Sequence, residues 1–199
     1  MRESIVQVVG DAPIQFSKSV SLTKKEREGH DDYEARTWWD RAHRTEENQL
    51  FIPGAAFYHS LCGGAKYLGT IPGRGKETFT KYFERGLLVR RPCMIDAFII
   101  PGATDDIPPA LVKVERLALH VPSDGKAGGG KRVWKCFPVV KKWTCEVEIE
   151  ILDDIITEQL LAAAFDFAGK YIGVGSFRPE KRGYFGRYHA QEGITVNLT

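Results

Sequence analysis

The side chains best suited to chemistry lie in the stretch Tyr171–Tyr188, which reads YIGVGSFRPEKRGYFGRY. Its glycines allow backbone conformations that are closed to other residues and let a ligand approach the main chain closely. Its basic side chains can pair with phosphate, and its aromatic rings can stack on unpaired bases. These residues are Gly173, Gly175, Gly183 and Gly186, then Arg178, Lys181, Arg182 and Arg187, and finally Tyr171, Phe177, Tyr184, Phe185 and Tyr188. The stretch predicts contact with a single-stranded nucleic acid; the alternative is a polar turn whose aromatic rings close the core.

A second glycine-rich run, Gly125–Lys131, has the spacing of a phosphate-binding P-loop. Arg132 stands where a P-loop has the Ser or Thr that binds magnesium, and a strand follows where a helix should begin. We therefore do not expect nucleotide hydrolysis. The same region favours an RNA-contacting finger, because four cations cluster with one aromatic ring, the alternative being a solvated hairpin loop. The residues of this finger are Lys126, Lys131, Arg132, Trp134 and Lys135.

Several histidines lie in or beside the first half of the chain, namely His30, His43 and His59, and His30 precedes two aspartates. They show neither the helical i, i+4 spacing nor the tight clustering of metal ligands, so neither a metal nor another cofactor is expected. A histidine that titrates near neutral pH could instead take a proton from an RNA 2′-hydroxyl while a lysine stabilises the phosphate charge. No feature of the sequence selects one histidine for this role.

Composition places the chain among ordinary globular proteins, with 199 residues, 43% hydrophobic and 27% charged. This length predicts a single domain, residues 1–199, with long insertions. The net charge is only +2, so any affinity for nucleic acid must come from local clusters of cations.

The four cysteines lack the paired spacing of zinc sites and of disulfide frameworks, which indicates reduced, buried thiols. No apolar run approaches the roughly eighteen residues of a membrane span, and the first residues carry acids where a secretion signal would be apolar. We expect a cytoplasmic protein without a membrane partner.

Hydrophobic periodicity predicts the elements that position these residues. The β-branched run Ser4–Val9 indicates a central strand, and Pro53–Leu68 indicates a helix whose apolar stripe excludes His59 and Lys66. The glycines and alanines of that helix keep one side thin, which permits close packing against a sheet.

Two further elements follow from the second half of the sequence. Cys145–Ile151 alternates apolar residues with glutamates, as in a half-buried strand, and we expect Arg132–Val140 to be its hairpin partner. Thr157 can cap the next helix, whose apolar stripe extends from Leu161 to Ile172. Final strands are expected near Arg187–Ala190 and 194–198.

The connecting segments are predicted with less regular structure. Residues 10–50 are polar and are predicted to form an irregular insertion. Within it, the neighbouring residues Trp38 and Trp39 cannot both face one core. One ring could therefore contact a partner, or both rings could hold the insertion to its own domain. The apolar pattern changes phase near Glu115–Arg116, which predicts a β-bulge. A glycine-rich hairpin loop is expected at about 122–131.

The order strand, helix, strands, helix, strand is the split βαβ arrangement of a ferredoxin-like or RRM-like domain, an α+β fold. Such a domain leaves one face of its sheet free of helices. That face commonly receives single-stranded nucleic acid.

With a helix introduced by FIPG and a Gly-rich loop directly after its second helix, the chain resembles the RAMP superfamily of CRISPR-associated proteins, in particular its backbone subunits. It is also similar to phage and prophage proteins with an FIPG helix and an SDG-GGGKR segment. The resemblance matches the loop to Gly173–Gly186 and the helix to Pro53–Leu68, which includes Lys66. It implies binding of single-stranded guide RNA along its backbone by head-to-tail copies, within a ribonucleoprotein complex.

Three functions therefore compete. The first is non-sequence-specific binding of single-stranded RNA, or single-stranded DNA, with assembly along the strand. The second is a metal-independent ribonuclease that processes guide RNA, as in some RAMP relatives. The third is a phage protein-interaction module that imitates or blocks a host CRISPR complex. Phosphate binding weakens steeply as salt rises, whereas an aromatic-centred protein interface does not, so salt dependence separates the first function from the third.

Overall fold

The computed structural model describes residues 1–99, 101, 114–123, 131–191 and 195–198, which contain ten strands and four α-helices. The strands are β1 (Arg2–Gly10), β2 (Ile14–Gln15), β3 (Gln49–Ile52), β4 (Leu87–Leu88), β5 (Cys93–Phe98), β6 (Val114–Pro122), β7 (Arg132–Val140), β8 (Thr144–Ile151), β9 (Tyr188–Ala190) and β10 (Thr195–Leu198). The helices are α1 (His30–Thr37), α2 (Gly54–Ala65), α3 (Thr80–Gly86) and α4 (Glu158–Phe167). Shorter 3₁₀ turns span Trp38–Arg41, Lys66–Leu68 and Pro179–Lys181, and a π-helical turn spans Ala168–Ile172.

The main sheet has the strand order β10–β1–β8–β4, and β9 pairs with β1 beside β10. All of its pairings are antiparallel. The first strand is central, and α2 and α4 lie in sequence at the two crossover positions of a split βαβ unit. The predicted α+β, ferredoxin-like class is therefore confirmed, and so is the central position of the first strand.

One face of this sheet forms the core with α2 and α4. Val6 and Val8 from β1, and Val147 and Ile149 from β8, are buried in it. The side-chain oxygen of Thr157 accepts a hydrogen bond from the backbone N–H of Leu160, which confirms the predicted helix cap. The buried stripe of α4 continues through the π-helical turn into Ile172, as its spacing predicts.

A second sheet, with the order β2–β7–β6, stands apart from the main one. The expectation that β7 forms a hairpin with β8 is wrong: β7 pairs with β6 from Val114↔Val140 to Pro122↔Arg132. The physical reason lies at Trp143, which is buried and donates a hydrogen bond to the carbonyl of Ala12. The short turn after β7 therefore connects two sheets, with β7 in the second sheet and β8 in the main one. The register of β6 on β7 is unbroken, so the predicted bulge at Glu115–Arg116 is also wrong.

The insertion at residues 10–50 is more regular than predicted, since it contains β2, α1 and β3. An ion pair between Arg41 and Glu34, 2.7 Å long and largely buried, ties α1 to the turn that follows it. Glu34 also accepts a hydrogen bond from the backbone N–H of Cys136 in β7. Trp38 is buried, and Trp39 is half-buried, with its indole N–H bonded to a carbonyl of α1. Both rings hold the insertion to its own domain.

All four cysteines are buried free thiols, as expected. Burial raises the pKa of the Cys62 thiol to about 11. Among the described residues, no helix is both long and apolar enough to cross a membrane.

Helices α2 and α4 approach each other closely at Gly64, which is buried. A Cβ at this position would lie 2.5 Å from the carbonyl oxygen of Ala164 and 2.8 Å from the Cβ of Ala168. The expectation that the thin side of α2 packs against a sheet is therefore wrong at Gly64, where another helix packs against it.

Gly64→Ala should lower the free energy of unfolding by about 1–3 kcal/mol, because a backbone oxygen cannot move away from the added methyl group without separating the helices. Urea unfolding followed by circular dichroism measures this change. In an unhindered helix the same substitution would stabilise by about 1 kcal/mol. A stabilised variant would therefore contradict the close approach.

Candidate nucleic-acid interface

The Gly-rich segment between α4 and β9 is held against residues 11–15 by backbone hydrogen bonds. Ser176 N–H donates to the carbonyl of Gln15 (2.8 Å), and Gly186 N–H donates to that of Pro13 (2.8 Å). Asp11 N–H donates to the carbonyl of Arg187 (2.9 Å). These hydrogen bonds hold the segment beside β2. We call residues 173–187 the ledge.

The glycines of the segment serve this docking. A Cβ on Gly175 would lie 2.7 Å from the carbonyl oxygen of Gln15, and one on Gly186 would overlap the carbonyl oxygen of Val174. Gly173, Gly175 and Gly186 also have positive φ, which side chains disfavour. At these glycines, the chain's own backbone occupies the space in which the sequence predicts a ligand. Their part in nucleic-acid binding stays a prediction, and it would be indirect.

A groove of about 400 Å³ lies between this ledge, residues 14–18 and the first half of α2. Two cations, two histidines and three hydroxyl groups line it: Lys18, Arg178, His43, His59, Ser17, Ser60 and Ser176. The groove brings Arg178 together with the loop backbone of Gly173 and Gly175, as the sequence predicts. Lys18 was missed, since its place depends on the pairing of β2 with β7 and no local pattern marks it.

The N-terminal end of α2 contributes Pro53 and Ala56 to the lining of this groove. The helix is twelve residues long, and no side chain caps its first turn, although Ala56 N–H donates to the carbonyl of Pro53 (2.8 Å). The helix dipole at such an end favours an anion. The groove therefore offers positive potential from the backbone as well as from side chains.

His43 is half-buried in the wall of the groove, with its ring 5.7 Å from that of Phe51. Burial, and then the nearby Lys18 ammonium, lowers the pKa of His43. The imidazole is accordingly neutral at neutral pH, so it can accept a proton or a hydrogen bond.

The cations of the ledge differ in what they do. The Arg178 guanidinium donates to the carbonyl of Gly175 (3.1 Å) and pairs with Glu180 (2.6 Å), so it braces the ledge as well as lining the groove. Lys181 and Arg182 are exposed, and Arg182 has a positive φ of 61°. Arg187 donates to the carbonyl of Tyr184.

The aromatic residues of the stretch divide into exposed and buried rings. Tyr184 is 56% exposed and Phe177 47%, and their centroids lie 5.9 Å apart. Phe185 is only 3% exposed, and Tyr188 is buried with its hydroxyl 2.9 Å from that of Ser60. The stacking role predicted for Phe185 and Tyr188 is therefore corrected, because their faces pack in the protein interior.

The predicted finger is described from residue 131 onward; Lys126 lies outside the described residues. An open cleft of about 490 Å³ at the end of the β6–β7 ribbon brings together Lys131, Arg132 and Trp134. His30 and His120 also line it, with the His120 ring 4.4 Å from that of Trp134. His30 Nε2 donates to the carbonyl of Trp134 (2.8 Å).

Two predicted residues lie apart from these sites. Lys135 follows Trp134 directly in β7, so its side chain points to the opposite face of the ribbon. Lys66 is exposed at the C-terminal end of α2, away from the groove at the other end of the helix. Within the described ranges, the structure shows no cluster of three or more His, Cys, Asp or Glu that could hold a metal.

The open face of the main sheet is lined with carboxylates. Glu3 of β1 lies opposite Glu150 of β8, and Glu146 and Glu148 share the same face. Arg91 pairs with Glu148 (3.0 Å), and Arg90 pairs with Glu150 (3.2 Å). The expectation that this face receives nucleic acid does not agree with its charge, because carboxylates repel phosphate.

No protein-family profile matches the chain, and no curated protein sequence matches it. Among solved structures, the chain is similar to a chain of a type III-B Cmr-beta complex bound to cognate target RNA, with 11% identity and a TM-score of 0.47. That alignment covers 98% of this chain and 61% of the other, so this chain spans less than two thirds of its length. It is also similar to Cmr6 from Pyrococcus furiosus, with 12% identity, a TM-score of 0.44, and coverage of 94% and 97%.

His43 should make stability depend on pH between neutrality and mild acid. Because its folded pKa lies below the ordinary 6.5, the unfolded chain binds the proton first, and stability falls as pH drops from about 6.5 toward the folded pKa. His43→Gln removes this contribution, so the wild type should lose more stability than the variant between pH 7 and pH 5. Urea unfolding at both pH values measures the difference, and equal losses would contradict the burial of this ring.

Proposed function

We propose that the protein binds single-stranded RNA along its sugar-phosphate backbone in the groove between α2 and the Gly-rich segment. The observation that carries this proposal is the meeting of a helix N-terminus, Lys18 and Arg178 around one groove of about 400 Å³. Each of these groups favours a phosphate, and together they surround a space that a nucleotide fills.

The exposed residues next to the groove fit a strand that continues past it. Lys181 and Arg182 provide charge on the outer side of the ledge, and Tyr184 and Phe177 provide ring faces there. The cleft at Trp134 and Arg132 offers the same combination on the β6–β7 ribbon. Such groups recognise any base and any phosphate, so binding is independent of sequence.

The RAMP resemblance implies that the protein works within a CRISPR ribonucleoprotein complex. The protein would there hold a guide RNA, alone or as head-to-tail copies along the strand. This setting is supported by the FIPG helix and the Gly-rich segment, because both form walls of the groove.

A second candidate function is metal-independent cleavage of the bound RNA, since His43 and His59 line the same groove as Lys18. Neutral His43 would take the proton of a 2′-hydroxyl, whose oxygen attacks the adjacent phosphorus, and the departing 5′-oxygen would take a proton from water. The products would be a 2′,3′-cyclic phosphate and a 5′-hydroxyl.

Cleavage is tested by incubating the protein with 5′-labelled RNA in excess EDTA. The candidate predicts cyclic-phosphate products from wild type, their loss in His43→Gln, and unchanged binding by that variant. RNA that stays intact with the wild-type protein would exclude this second function and leave the binding proposal standing.

Binding by the ledge is tested with Lys181→Ala combined with Arg182→Asn, because Asn tolerates the positive φ of residue 182. The double variant should bind every RNA oligonucleotide more weakly. The slope of log affinity against log salt should fall by about 1.4, which corresponds to two lost phosphate contacts. Fluorescence anisotropy across a salt series measures both.

The matched control is Arg90→Ala combined with Arg91→Asn, which removes the same charge from the acidic sheet face. It should leave affinity and salt slope close to those of wild type. If both double variants weaken binding equally, attraction depends on total charge and Lys181 and Arg182 make no specific contact with the strand.

A further inference from the structure

Three aromatic rings form an exposed cluster at the C-terminal end of α2, outside the groove. The Tyr67 ring lies 5.1 Å from that of Tyr171 and 5.7 Å from that of Phe167, with interplanar angles of 28° and 23°. Tyr67 is 51% exposed and Tyr171 49%. We call these three residues the aromatic platform.

The platform is held in place by the same close helix contact that closes the core. Gly63 packs against Ile172, since a Cβ on Gly63 would lie 3.0 Å from the Ile172 side chain. This contact places Tyr67, in the 3₁₀ turn after α2, beside Tyr171 in the π-helical turn after α4. The outer halves of both tyrosine rings contribute nothing to the buried core, so their exposure needs another explanation.

The platform and the groove lie towards opposite ends of α2. Ala56 lines the groove, and Tyr67 contacts Tyr171 in the platform. Between them Ser60 and Gly63 are buried, and Gly63 is covered by Ile172, so a strand that reaches both sites passes outside this face of the helix. Eleven residues separate Ala56 from Tyr67, which corresponds to about 16 Å along the helix.

The charge around the platform suits an anionic strand. Lys66 is exposed next to Tyr67, and Lys170 is exposed next to Tyr171, where it pairs with Asp166 (2.7 Å). Ring faces flanked by ammonium groups are the surface on which single-stranded nucleic acids stack their bases.

We propose that the aromatic platform is a second binding site, which stacks unpaired bases of the strand beyond the groove, at the other end of α2. The inference rests on the proposed function, because the strand must first be held by its phosphates in the groove. It assigns Tyr67 and Tyr171 to base stacking and Lys66 to the adjoining phosphate.

The test compares Tyr67→Leu/Tyr171→Leu, which removes the ring faces, with Tyr67→Phe/Tyr171→Phe, which keeps them. The probes are uridine oligonucleotides of increasing length. The leucine variant should bind the longer oligonucleotides about tenfold more weakly than wild type, whereas the phenylalanine variant stays within a few fold. The shortest oligonucleotide that still binds should not distinguish the variants, because it occupies only the groove.

An abasic site placed at successive positions of the longer RNA adds a second readout. At one or two positions it should weaken binding to wild type and have no further effect on the leucine variant. Urea unfolding confirms that both variants fold.

If wild type and the leucine variant bind oligonucleotides of every length with equal affinity, the proposed stacking on the platform is wrong, whereas binding in the groove is not affected. If that equality comes with a loss of self-association of the leucine variant on gel filtration, the cluster is a protein interface instead. If wild type binds none of the oligonucleotides, the proposed function fails together with the platform.

Discussion

The structure depends on the contact between the backbone of the Gly-rich segment and the backbone of residues 11–15. Ser176 and Gly186 each donate a hydrogen bond across it, and Gly175 leaves no space for a side chain. Without this contact, the ledge would not stand opposite α2, and Arg178 would not face Lys18 across a groove. Because β2 pairs with β7, the same residues also join the main sheet to the β6–β7 ribbon. One backbone contact thereby positions the groove, the exposed cations and the ribbon cleft.

Charge is distributed unevenly over this framework, although the net charge is only +2. The open sheet face carries a row of three glutamates on β8 and Glu3 on β1, while the groove and ledge contain lysine, arginine and a helix N-terminus. In an RRM-like domain the open sheet is the usual place for RNA, yet here its charge disfavours a polyanion. Proteins of one fold class can thus bind nucleic acid through different surfaces, and the charge and type of the side chains decide which surface is used.

Local sequence patterns predicted the elements whose faces differ clearly in polarity. The alternation in Cys145–Ile151 and the stripe from Leu161 to Ile172 each correspond to one buried face, so periodicity was sufficient. The partner of β7 was not predictable in this way, since several apolar strands could pair with it equally well. Tyr184 and Phe185 show the same limit within the site: neighbouring aromatic residues differ from 56% to 3% exposure, and only the path of the loop decides between them. Lys18 lies in the site because β2 pairs with β7, a strand far away in sequence, and no local pattern predicts that pairing.

Ultraviolet crosslinking of bound RNA, with the crosslinked peptides identified by mass spectrometry, tests the central claim most directly. The account predicts crosslinks in peptides that line the groove and ledge, above all those with Phe177 and Tyr184, and none in peptides of β1 and β8. Photoreactive uridines in the RNA remove the bias toward aromatic residues. Crosslinks concentrated on the open sheet face, at residues such as Ile5 or Gln7, would contradict the account, because the strand would then lie on the carboxylate-lined surface.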